Sequence, residues 1–117
     1  MRKAIPALIL VCLILSACGQ TRTFEGALFR TDTDKSAFGV DCSDEINKGK
    51  VNVDDVGYVC TVKTDGKTRL KDAEGHTLKP EDFSSGDLVR VTLSRAQTIT
   101  ESNRSFQAKE IVLLEAK

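Results

Sequence analysis

The chain has 117 residues, and its 17 basic and 17 acidic side chains give a formal net charge of zero. That balance excludes a strong field for the nucleic-acid backbone. With five Phe, one Tyr and no Trp, there is also no evident platform for stacking bases. The densest cationic pair, Lys48 and Lys50, lies among Asp44, Glu45, Asp54 and Asp55.

Met1-Arg2-Lys3 forms a short basic start, and residues 4–15 are almost all apolar, with Pro6 the exception. The run is about a dozen residues, short of the roughly 20 that span a bilayer. No polar face recurs in it at helical or strand period, as a core element would require. It ends in Leu15-Ser16-Ala17-Cys18-Gly19. This segment resembles the lipobox of bacterial lipoproteins. The resemblance implies removal of residues 1–17 as a signal peptide and transfer of diacylglycerol to the Cys18 thiol. It also implies a partner, the cell membrane or outer membrane, with the domain on the extracytoplasmic side. Two or three acyl chains hold firmly, because each buried methylene is worth about 0.8 kcal/mol. Gly19 and Gln20 follow, with no Asp after the cysteine to suggest inner-membrane retention. The ordinary alternative is a secretory signal with a coincidental cysteine.

Cleavage leaves about 100 residues, one small domain whose thin core benefits from a staple. Cys12 leaves with the signal and Cys18 carries lipid. Cys42 and Cys60 remain, an even pair in an oxidising compartment, and are expected to form a disulfide. Its loop of about 19 residues corresponds to roughly 3 kcal/mol in the chain-entropy model. Two buried free thiols are the alternative. Two cysteines and a distant His76 lack zinc-ligand spacing, and no Cys-x-x-Cys is present. Neither a metal nor another cofactor is expected.

Residues 18–22 read as a polar tether and residues 23–29 as a first strand. Gly26 marks a bulge or sharp bend within it. After a turn at 31–36, residues 37–42 form a short strand with Phe38, Val40 and Cys42 on one face. Residues 43–55 form a loop with a helical turn to Asn47 capped by Ser43. Residues 56–64 alternate clearly, with Val56, Tyr58, Cys60 and Val62 on one face. Asp65-Gly66 then predicts a two-residue hairpin turn, with residues 68–71 returning. A turn at 72–75 precedes one helical turn at 78–83, with Pro80 early in it. After a turn at 85–87, residues 88–93 alternate as a strand. Residues 94–103 are polar and irregular, and residues 106–114 form a long closing strand.

Five or six strands in so short a chain must close or pair face to face to bury an apolar side. The order fits an all-β domain over residues 23–117: a small, partly open Greek-key barrel of OB type with one short helical turn. A small β-sandwich or roll is the alternative. The stretch DAEGHTLKPEDFSSGDLVRVTL, then ITES and FQAKEIVLL, resembles the C-terminal half of OB-like domains in small bacterial lipoproteins of the YobA type, a family of unknown function. Its landmarks are Phe83, Gly86-Asp87, the alternating strand 88–93, Glu101-Ser102 and the closing strand around 108–111. Two features depart from that pattern. Asn103-Arg104-Ser105 stands where a proline is expected, and the Cys42–Cys60 pair is extra. The resemblance implies a fold more than an activity.

Asp32, Asp34 and Ser36 begin like a calcium loop, but Ala37 and Ser43 stand where its glycine and glutamate belong, so a solvated turn is the reading. His76, the only histidine, sits in a turn with no partner apparent from spacing for a general base. Glu101 and Ser102 are expected at the barrel mouth, either lining a ligand groove or pinning the loop. Arg90, Arg95 and Arg104 are expected near the same end, to hold an anionic group or to balance Glu101 and Asp87. No nucleophile, phosphate-loop or paired-carboxylate motif emerges. The sequence therefore points to a lipid-anchored, non-enzymatic binding or interaction module for an envelope protein or small envelope ligand. An envelope oligosaccharide- or nucleic-acid-binding OB protein, and a small envelope enzyme using Glu101, Ser102 or His76, are the alternatives. The oligomeric state stays open.

Overall fold

The computed structural model describes residues 20–32, 36–48 and 57–117. The expectations for residues 1–17, Cys18, Asp34 and Val56 lie outside the described residues. Among the described residues there are six strands: β1 (Thr21–Asp32), β2 (Ala37–Asp41), β3 (Val59–Lys63), β4 (Arg69–Asp72), β5 (Leu88–Gln97) and β6 (Ser105–Glu115). A helical turn, α1 (Ser43–Ile46), follows β2, and a 3-10 turn, η1 (Pro80–Asp82), precedes β5.

Period-2 alternation supplies the barrel lining. Val89, Val91 and Leu93 of β5, Cys60 and Val62 of β3, and Phe38 and Val40 of β2 are all buried. They pack with Phe24, Leu28, Phe106, Ala108 and Ile111 in one core. Phe83, delivered by η1, meets Phe38 edge-to-face with ring centroids 5.3 Å apart.

The hydrogen-bonded ring closes on itself. β1 pairs antiparallel with β5 over its first half and with β2 over its second. β2 pairs antiparallel with β3, and β5 with β6. β3 then joins β6 in parallel through Thr61↔Ser105, Val62↔Phe106 and Lys63↔Gln107. The circuit β1-β2-β3-β6-β5 is the order of an OB-like barrel, so the chain is all-β with that architecture. β1 serves both halves by passing from β5 to β2 between Ala27 and Leu28, and its register irregularities fall between Thr21 and Thr23 and between Leu28 and Arg30, not at Gly26. The Cys42–Cys60 disulfide is formed, with both residues buried, and it ties the end of β2 to β3.

Three expectations are corrected. Residues 68–71 do not return along β3: β4 instead pairs in parallel with β6, from Arg69↔Glu110 to Asp72↔Leu113. Both edges of β3 are already taken by β2 and β6, so no hairpin partner fits there. Ser43 does not cap α1. Cys42 occupies the cap, and the Ser43 hydroxyl accepts a 2.8 Å hydrogen bond from the Tyr58 N–H. Residues 94–97 are not irregular but extend β5, because Gln97 pairs with Thr21 at the start of β1.

Candidate functional site

The polar run between β5 and β6 folds as a tight turn. Thr100 and Asn103 exchange both backbone hydrogen bonds, at 3.3 and 3.1 Å, so Glu101 and Ser102 are its tip. Asn103 Nδ2 donates to the Thr98 carbonyl at 2.7 Å, and Ile99 is buried, which fastens the turn to the barrel. Arg104 follows directly. Its Nε donates to the Glu101 carbonyl at 2.9 Å and its Nη1 to the Val59 carbonyl at 3.4 Å. Its guanidinium carbon lies 5.5 Å from the centroid of the Tyr58 ring, within cation–π range.

Tyr58 links this turn to α1 through its N–H bond to Ser43. Ile46, buried on α1, closes the other side. Between them lies an open hollow of about 400 Å³ lined by Ile46, Thr100, Glu101 and Ser102. The structure thus brings Glu101, Ser102 and Arg104 together at one end of the barrel. Arg95, exposed two residues before the end of β5, stands at that end also. Tyr58 and Ile46 belong to the site, but in sequence Tyr58 reads only as one of a strand's shared-face residues and Ile46 only as part of a helical turn. Pattern cannot show that a side chain from the distant turn stacks on the tyrosine.

Arg90 does not join them. It lies opposite Val112, eight residues along β6 from Arg104, which is roughly 26 Å of strand. Its Nε donates to Glu25 Oε2 at 3.0 Å across β1 and β5. Farther along the same outer surface, Arg69 and Lys71 each approach Glu110 at 3.2 Å. The hollow there, about 490 Å³ and bordered by Lys71, Asp72, Arg90, Glu110 and Val112, is lined by charges that largely neutralise one another. Asp87 is likewise elsewhere: it is buried before β5 and accepts the Ser84 and Lys117 backbone N–H groups at 2.8 and 2.9 Å.

His76 sits in the turn after β4, with Nδ1 3.0 Å from Asp72 Oδ2. Asp72 also accepts the backbone N–H groups of Glu74 and His76, both at 2.9 Å. These donors, chiefly the His76 backbone N–H, hold its carboxyl below the ordinary aspartate value against a partly opposing desolvation. The turn belongs to the end of β4 paired with residue 113 of β6, and Glu101 and Ser102 precede the start of β6. Among the described residues, no three of His, Cys, Asp and Glu converge to hold a metal ion.

No family profile and no curated protein sequence matches the chain. Among solved structures, a CusF variant with Cu(II) from Escherichia coli is similar at 10% identity, over 80% of this chain and 91% of that one, with a TM-score of 0.43. The fold assignment here rests on the strand order, and no copper ligand is carried over.

Proposed function

We propose that this chain is a membrane-anchored extracytoplasmic lipoprotein whose OB-like barrel is a non-enzymatic binding module. The lipobox supports the anchor. The observation that carries the binding reading is the barrel end where α1, Tyr58, Arg104 and the Glu101-Ser102 tip surround an open hollow. Loop-lined mouths are where small barrels take ligands, and this one offers an apolar floor, two hydroxyls and an arginine–tyrosine stack to a small envelope ligand or a protein segment. An enzyme built from Glu101, Ser102 and His76 is disfavoured because the fold puts the histidine on the turn after β4, bonded to Asp72. An oligosaccharide or nucleic acid would find, among the described residues, a single aromatic ring, Tyr58, at the site.

The test is fractionation of cells carrying the Cys18→Ala chain, combined with photo-crosslinking from position 102. Loss of Cys18 is expected to move the protein from the membrane pellet to the soluble fraction. The crosslinked adduct is expected to vanish with Arg104→Ala. Unchanged sedimentation would refute the anchor, and an adduct indifferent to Arg104→Ala would refute the site.

A further inference from the structure

Cys18 and the barrel are separated by very little chain. Only Gly19 and Gln20 stand between that cysteine and Thr21, where β1 begins. Three Cα–Cα steps of 3.8 Å reach at most about 11 Å. A lipidated Cys18 sits at the glycerol level, beneath a headgroup layer roughly 5–7 Å deep. Thr21 is therefore held no more than roughly 4–6 Å beyond the headgroups.

Thr21 in turn fixes which end of the barrel is held there. It is paired with Gln97, and its hydroxyl donates to Glu45 Oε2 of α1 at 3.4 Å. β1 and β5 are antiparallel. The chain running back from Thr21 to Gln20 and the chain running on from Gln97 to the turn tip consequently leave the ladder toward the same side. The β5–β6 turn, stapled to β3 through Arg104 and the Val59 carbonyl, cannot swing away independently.

Resting on the anchor reading above, we infer that the barrel is seated with its α1 and β5–β6-turn end on the bilayer. The hollow at Thr100, Glu101 and Ser102 then opens onto the phospholipid headgroup layer, with Arg95 and Arg104 on the side that faces it. The turn holding Asp72 and His76 faces away from the membrane. Covalent tethering sets this position rather than a charge field. The described charges named at that end, Lys48, Arg95 and Arg104 against Asp44, Glu45 and Glu101, cancel.

The experiment uses the full lipidated chain in vesicles of phosphatidylethanolamine and phosphatidylglycerol. Single cysteines are introduced as Ser102→Cys, Thr98→Cys and Glu74→Cys, all at exposed positions, and modified with a bulky polymer-linked maleimide. Ser102→Cys and Thr98→Cys are expected to react at least about tenfold more slowly than Glu74→Cys when vesicle-bound. A Gly-Ser spacer of about ten residues inserted after Gln20, adding a mean reach of roughly 17 Å, is expected to abolish the difference. Equal rates in chains that float with the vesicles would overturn the orientation alone. A chain that does not float would overturn the anchor and the orientation with it.

Discussion

Gly26 in β1 lies directly against the backbone carbonyl of Asp41 at the end of β2, so that a Cβ at position 26 would collide with that oxygen. The carbonyl is backbone and cannot rotate aside as a side chain would. Two residues on, at Leu28, β1 has left β5 for β2, so the collision falls beside that change of partner. Gly26→Ala is expected to cost at least about 3 kcal/mol in urea unfolding. Gly66→Ala is the control: nothing lies within 4 Å of its Cβ position, and the expected change is within about 0.5 kcal/mol. Similar midpoints for the two variants would show that the backbone yields there.

The barrel lining was legible because alternation is a property of each strand alone: Phe38-Val40, Cys60-Val62 and Val89-Val91-Leu93 are buried as their spacing implies. Pairing is not such a property. Asp65-Gly66 has hairpin chemistry, yet the Asp65 side chain bonds Lys67 N–H at 2.8 Å, and Thr68 Oγ1 donates to the Ala108 carbonyl at 2.9 Å. The chain is thereby led from β3 onto the same edge of β6, where β4 continues. At the candidate site, Glu101, Ser102 and Arg104 were legible from their place ahead of the last strand. Arg90 was misplaced because its position depends on the β5–β6 register and on a cross-strand acid, Glu25, far away in sequence.

The Cys42–Cys60 bridge spans a sequence separation of 18 and encloses α1. Without it the unfolded chain gains loop freedom, and α1 keeps its place at the candidate site mainly through Ser43 and Tyr58. Reduction is expected to lower unfolding stability by roughly 3 kcal/mol. Amide exchange in α1 and at Tyr58 is expected to rise more than in β5 or β6. Uniform loss of protection across all strands would argue that the bridge stabilises the whole barrel equally.

Asp87 is the one buried charged residue of the described chain, 2% exposed, and each of its carboxylate oxygens takes a backbone N–H. Asp87→Ala strands the Ser84 and Lys117 donors where water reaches them poorly. The expected cost is about 2–4 kcal/mol, with faster amide exchange at both residues. Asp87→Asn keeps a single acceptor oxygen and should lose less. If alanine and asparagine are equally tolerated, water satisfies the two amides and the carboxylate is dispensable.

Asp72 provides the pH dependence. Its carboxyl is held below the ordinary aspartate value first by the His76 backbone N–H, and only secondarily by the His76 ring. A depressed carboxyl contributes stability that is fully present above its unfolded value, about 3.9, and is lost as pH falls through its lower folded value. Asp72→Asn is therefore expected to be less stable than the parent near neutral pH, with the deficit closing as pH falls below the ordinary aspartate range. His76→Ala separates the two causes, since it removes the ring but keeps the backbone donor. By carboxyl-carbon NMR titration, Asp72 in that variant should still titrate below the ordinary value. A return to that value on losing the ring would make the ion pair, not the turn backbone, the source of the shift.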